Sequence, residues 1–158
     1  MSGPPPPHRL VYAALVVAAL SLGVAVVALL RAGPHEPQYT DDQRSAAKAT
    51  VCAAFETVSS GVAMNTNLAP PGGPDDIGGA LAVAANARVA LYDGGQYLLA
   101  RLAPATPAEL AGEIRNFGNQ LMDIGAAATA GVPNTDPVQA GWLTAAEAAG
   151  TAVSGMCR

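Results

Sequence analysis

Apolar and polar positions follow helical spacing over most of the chain. Leu10 to Leu30 is a run of 21 residues without a charge, bounded by Arg9 and Arg31. At 1.5 Å per residue such a run spans roughly 30 Å, the thickness of a bilayer's hydrocarbon core. Its only polar side chains are Tyr12 and Ser21. The pattern predicts a transmembrane helix over 10–30. A cleaved signal peptide is the alternative, with Val26 and Ala28 as small-residue cleavage positions. Signal h-regions run only about 7–15 residues, so the length favours an uncleaved anchor. Ala14, Ala18, Ser21, Ala25 and Ala28 fall at spacings of 4, 3, 4 and 3. They form a stripe of small residues on which a second membrane helix can pack closely.

Beyond residue 39 the punctuation predicts four more helices. Thr40-Asp41-Asp42-Gln43 reads as a capping box, with two acids at the positive end of the helix dipole. The helix it opens runs to about Asn65, with Val51, Phe55, Val58 and Val62 on one face. Pro70-Pro71-Gly72-Gly73-Pro74 must be a loop. Asp75 or Asp76 starts the next helix, whose expected inner face is Ile77, Leu81, Ala84, Leu91, Leu98 and Leu102; Arg88 interrupts that count. Gly94-Gly95 leaves open whether this helix bends or splits. Thr106-Pro107-Ala108-Glu109 reads as a second capping box. Leu110, Ile114, Phe117, Leu121, Ile124 and Ala128 follow it at spacings of 4 and 3, the cleanest amphipathic pattern in the chain. Asp136-Pro137-Val138-Gln139 opens the last helix, expected to turn Val138, Trp142, Ala145, Ala149, Ala152 and Met156 inward.

Short loops between long helices favour antiparallel neighbours. The expected fold is therefore all-α: an N-terminal transmembrane helix, then an antiparallel four-helix bundle as ectodomain. The expected organisation is a cytoplasmic Pro-rich tail over 1–9, the membrane helix over 10–30, a linker over 31–39 and an extracytoplasmic bundle over 40–158. Pro4 to Pro7 favour polyproline II in the tail.

Composition adjusts this picture in two ways. Hydrophobic residues make up 51% of the chain but aromatics only 4%, and 35 of the 158 residues are alanine. Alanine brings little apolar area, so the core is light. Alanine, glycine, proline and arginine usage together points to a GC-rich bacterial genome. Charge is also divided: residues 1–35 hold two arginines and no acid, whereas 36–158 hold six basic and twelve acidic side chains, a formal −6. That sign argues against nucleic acid as a partner.

The two cysteines, Cys52 and Cys157, both follow the apolar run. An even count in an exported domain implies one disulfide, expected with Cα atoms about 5–6 Å apart; two inert buried thiols are the alternative. The cysteines set the expected orientation, with the N-terminus cytoplasmic and residues 32–158 outside, because the positive charges flanking the span do not decide it.

Catalytic chemistry is sparse. His8 and His35 are the only histidines and both precede the bundle, so a histidine-based triad or relay there has no member. No Glu-x-x-His pair occurs, and no metal or cofactor is expected. The glycines of 72–79 lack the Gly-Lys-Ser/Thr ending that grips phosphate. Glu109 with Glu113, and Asp75 with Asp76, lie in first helical turns, where dipole and capping account for acids. Candidate recognition residues are Tyr92 and Tyr97, which flank Gly94-Gly95, and Trp142, the lone tryptophan, otherwise a core anchor.

With the Pro4–Pro7 tail, the Leu10–Leu30 span and the Cys52/Cys157 spacing in view, the chain resembles alanine/proline-rich single-pass envelope proteins of GC-rich actinobacteria. The likeness is one of layout over the whole chain; it implies a location and carries over no catalytic residue. The expected function is a non-enzymatic accessory or scaffold protein of the cell envelope, with the lipid bilayer and another membrane or envelope protein as partners. The alternative is a small-molecule or lipid carrier with a cavity between the helices of the bundle.

Overall fold

A computed structural model describes the backbone of residues 8–31 and 38–158, with side chains throughout except at 8–11, 13 and 29–31. Expectations for the Pro-rich tail at 1–7 and for the linker at 32–37 lie outside the described residues. The chain divides into two compact units, Met1–Gln38 and Tyr39–Arg158. Five helices account for the regular structure: α1 (His8–Arg31), α2 (Asp41–Thr66), α3 (Ile77–Ala100), α4 (Ala108–Thr129) and α5 (Pro137–Cys157). There is no strand among the described residues.

Helix α1 forms over the apolar run, and its described side chains, Leu15, Leu20, Leu22 and Val24 among them, are exposed. The small-residue stripe of Ala14, Ala18, Ser21, Ala25 and Ala28 is exposed too. Ser21 donates its hydroxyl to the Ala18 carbonyl at 2.9 Å, so its polarity is spent within its own helix. The expectation of a membrane span is corrected here. Among the described residues no helix is long and apolar enough to cross a membrane. The single-pass localisation, with a cytoplasmic N-terminus and an outer C-terminal domain, loses its support with the span.

In the second unit the capping signals act unequally. At α2 the box is complete: the Gln43 amide donates to Thr40 Oγ1 at 3.2 Å, and the Thr40 amide donates to Gln43 Oε1 at 2.9 Å. Asp76 caps α3 by accepting from the Gly79 amide at 2.8 Å, and it also ties down the Gly72 amide at 3.0 Å. Gly73 supplies the positive φ, 88°, that the turn before α3 needs. Asp136 caps α5 through the Val138 and Gln139 amides. The expected box at Thr106 does not form. Pro107 holds the N-cap position of α4 and no side chain caps it. Thr106 is one residue too early and turns inward, buried.

Helix α4 is the centre of the core. Its predicted stripe is buried at Leu110, Ile114, Phe117, Leu121 and Ile124, whereas Ala128 at its end is half-buried. Helices α3 and α4 run antiparallel in close register through glycines. A Cβ at Gly95 would lie 2.5 Å from the Gly118 carbonyl oxygen, and one at Gly125 would lie 3.2 Å from the Tyr92 amide nitrogen. The Gly94-Gly95 pair therefore does not split α3. Gly95 lets two backbones meet, while Gly94 faces the Val58 side chain of α2.

The other two inner faces need correction. In α3 only Leu91, Gly95 and Leu98 are buried; Ile77 and Leu81 are 76% and 66% exposed. The first two turns of α3 project past the packed region. In α5 the buried positions are Gln139, Ala146, Ala149 and Val153, whereas Val138 is exposed. The inner face is rotated from the expected one because Gln139, not Val138, turns inward: its side-chain amide donates to the Ile124 carbonyl of α4 at 3.2 Å.

Candidate functional site

A groove of about 1120 Å³ runs between α2 and α5. Its origin lies in the side chains that face it. The consecutive pairs α2–α3, α3–α4 and α4–α5 pack along much of their length, whereas α2 and α5 meet over a much shorter stretch. One crosslink joins them: Cys52 and Cys157 form a disulfide with Cα atoms 5.6 Å apart. Close to it, Phe55 and Phe117 fill the space edge to face, with ring centroids 5.3 Å apart. Farther along, the α2 wall is Ser59, Val62, Ala63 and Thr66, and the α5 wall is Leu143, Ala146, Gly150 and Thr151. Most of these wall side chains are small and leave the space between the two helices unfilled.

The floor is apolar, with Leu91 from α3 and Phe117, Leu121 and Ile124 from α4. Their burial beneath the groove makes the floor part of the continuous hydrophobic core. The volume is at or above the range of about 300–1,000 Å³ usual for small-molecule sites. Three charged side chains line the groove: Arg88 of α3, Glu147 of α5 and Arg158 at the chain's end. The Arg88 Nε donates to the Ala128 carbonyl at 3.1 Å, which fixes the guanidinium against the C-terminal end of α4.

The residues singled out from sequence fall mostly elsewhere. Tyr92 and Tyr97 are 45% and 42% exposed and do not line the groove. The Tyr97 ring lies under the Arg101 guanidinium, 4.6 Å from centroid to carbon, and borders a smaller hollow of about 330 Å³ between α2 and α3. Trp142 is half-buried against the core, beside the groove-lining Leu143. Cys52 and Cys157 are brought together as expected. Ala14, Ala18, Ser21, Ala25 and Ala28 belong to the other unit. Sequence reasoning missed Arg88 as a site residue, although it left a signal: a charge in the middle of an otherwise apolar helical face. Among the described residues no group of three or more His, Cys, Asp or Glu is placed to hold a metal ion. No protein-family model, curated protein or solved structure matches the chain.

Proposed function

We propose that the 39–158 unit is a non-enzymatic binding module that carries a small apolar molecule in the groove between α2 and α5. The observation that carries this reading is the groove itself, about 1120 Å³ with a floor of Leu91, Phe117, Leu121 and Ile124. A core built from this composition has a cheaper option, which is to let alanine-lined helices close together. The gap between α2 and α5 stays open here above a floor that is itself packed into the core, and an occupant would seat between the two walls. In this reading α2–α5 act as an antiparallel four-helix bundle opened along one seam. An accessory or scaffold role rested on the small-residue stripe of a membrane helix, and it loses that argument with the span.

The test is titration of the full chain with N-phenyl-1-naphthylamine, a neutral apolar fluorophore. Saturable one-to-one binding is expected. Ala63→Trp, on an exposed position of the α2 wall, should weaken it about tenfold or more by filling the groove, with little change in thermal midpoint. Absence of saturable binding to the native chain overturns the proposal.

A further inference from the structure

We infer that the ligand is an anionic single-chain amphiphile, with its carboxylate at Arg88 and its chain along the floor of the groove. This rests on the carrier reading and adds the chemistry of the head group. A guanidinium offers five N–H donors in a planar fork. Arg88 uses one of them, the Nε–H, on the Ala128 carbonyl. Its Nη nitrogens make no hydrogen bond or ion pair among the described residues, where the one salt bridge is Arg44 with Asp41. The side chain is half-buried and already anchored at one edge, so little rotamer entropy remains to be lost when the other edge takes a carboxylate in bidentate fashion.

Residues 36–158 carry a formal −6, and the charged side chains lining the groove are Arg88, Glu147 and Arg158. Arg158 is the weaker candidate for the head group. It is exposed, ends the chain, and follows Cys157 at the disulfide end of the groove. Arg88 lies at the opposite end, facing the last turn of α4. From Ala128 to Phe117 along α4 is roughly 16 Å of helical rise. At about 1.25 Å per methylene from ordinary carbon–carbon geometry, that matches an extended chain of about a dozen carbons. Leu91, Ile124, Leu121 and Phe117 would line it in turn.

The experiment compares dodecanoate with dodecyltrimethylammonium by calorimetric titration of the full chain, both below their micellar concentrations. The two share a chain length and differ in the sign of the head. The net charge of −4 favours the cation non-specifically, so a preference for the anion isolates the groove. The expected result is dodecanoate bound at least about tenfold more tightly, with the preference abolished in Arg88→Gln and partly kept in Arg88→Lys. Equal binding of both probes, or stronger binding of the cation, overturns the head-group assignment and leaves the carrier reading standing. If neither probe nor N-phenyl-1-naphthylamine binds the native chain, both fall. The comparison on the native protein decides the matter even if a variant at Arg88 folds poorly.

Discussion

At the scale of single residues, glycines divide into two groups that composition cannot separate. Gly95 and Gly125 sit where α3 and α4 touch, and an added methyl meets backbone atoms at 2.5–3.2 Å. Gly112, in contrast, is exposed on α4, and a methyl added there would have nothing within 4 Å. Replacing glycine by alanine in a helix gains about 1 kcal/mol in propensity. At Gly95 overpacking opposes that gain with a cost of about 1–3 kcal/mol, because the facing carbonyl is backbone and cannot rotate away. Chemical denaturation should therefore show Gly95→Ala less stable than wild type and Gly112→Ala more stable by up to about 1 kcal/mol. The opposite order would refute the close α3–α4 contact. Arg88 is the residue whose meaning changed most. As a letter in a helical repeat it interrupts a hydrophobic count; in the structure it is half-buried and its head lies at a groove.

At the scale of elements, helix starts were legible, but inner faces less so. The Thr40 box forms because Thr40 and Gln43 reach each other within one turn, with no help from the rest of the molecule. Substituting Thr40 or Asp136 by alanine should each cost about 1 kcal/mol in thermal or denaturant melts. Thr106→Ala should not show that capping loss, since Thr106 makes no cap bond. An equal loss at all three sites would contradict the start assigned to α4. The stripe of α4 was readable because bulky apolar residues, Leu110, Ile114, Phe117, Leu121 and Ile124, recur along its inward face. For α5 the inward residues are mainly alanine, and alanine also fills the outward positions. Periodicity then loses its contrast, and one buried glutamine, Gln139, with its bond to the Ile124 carbonyl, sets the rotation of the helix.

At the scale of the whole second unit, the disulfide ties together α2 and α5, which meet over a much shorter stretch than the consecutive pairs α2–α3, α3–α4 and α4–α5. It spans 105 residues of chain. For a loop of about 100 residues the chain-entropy model gives about 4.7 kcal/mol as an upper expectation. Reductant should lower the melting temperature by several degrees or more. A Cys52→Ser/Cys157→Ser double variant should melt at the reduced protein's temperature and respond no further to reductant. Reductant acting equally on wild type and on the double variant would show that the bond does not carry this stability. The groove beside the crosslink should lose affinity for N-phenyl-1-naphthylamine in the same titration, because the α5 wall is then held only by its packing on α4.

The local signals written into the chain, namely caps at Thr40, Asp76 and Asp136, the breakers at Pro70–Pro74, and the 4,3 spacing of α4, determined the helical class and most helix boundaries. These depend on contacts within a turn or two, so neighbouring residues suffice to specify them. The joining of Cys52 to Cys157 was also legible, since two cysteines admit one pairing. Three features were decided by tertiary structure: the rotation of α5, the use of Gly95 for backbone approach, and the opening between α2 and α5. Each depends on what faces a side chain across the roughly 8–10 Å between packed helices, and a chain in which alanine occupies both inward and outward positions does not encode that in its spacing.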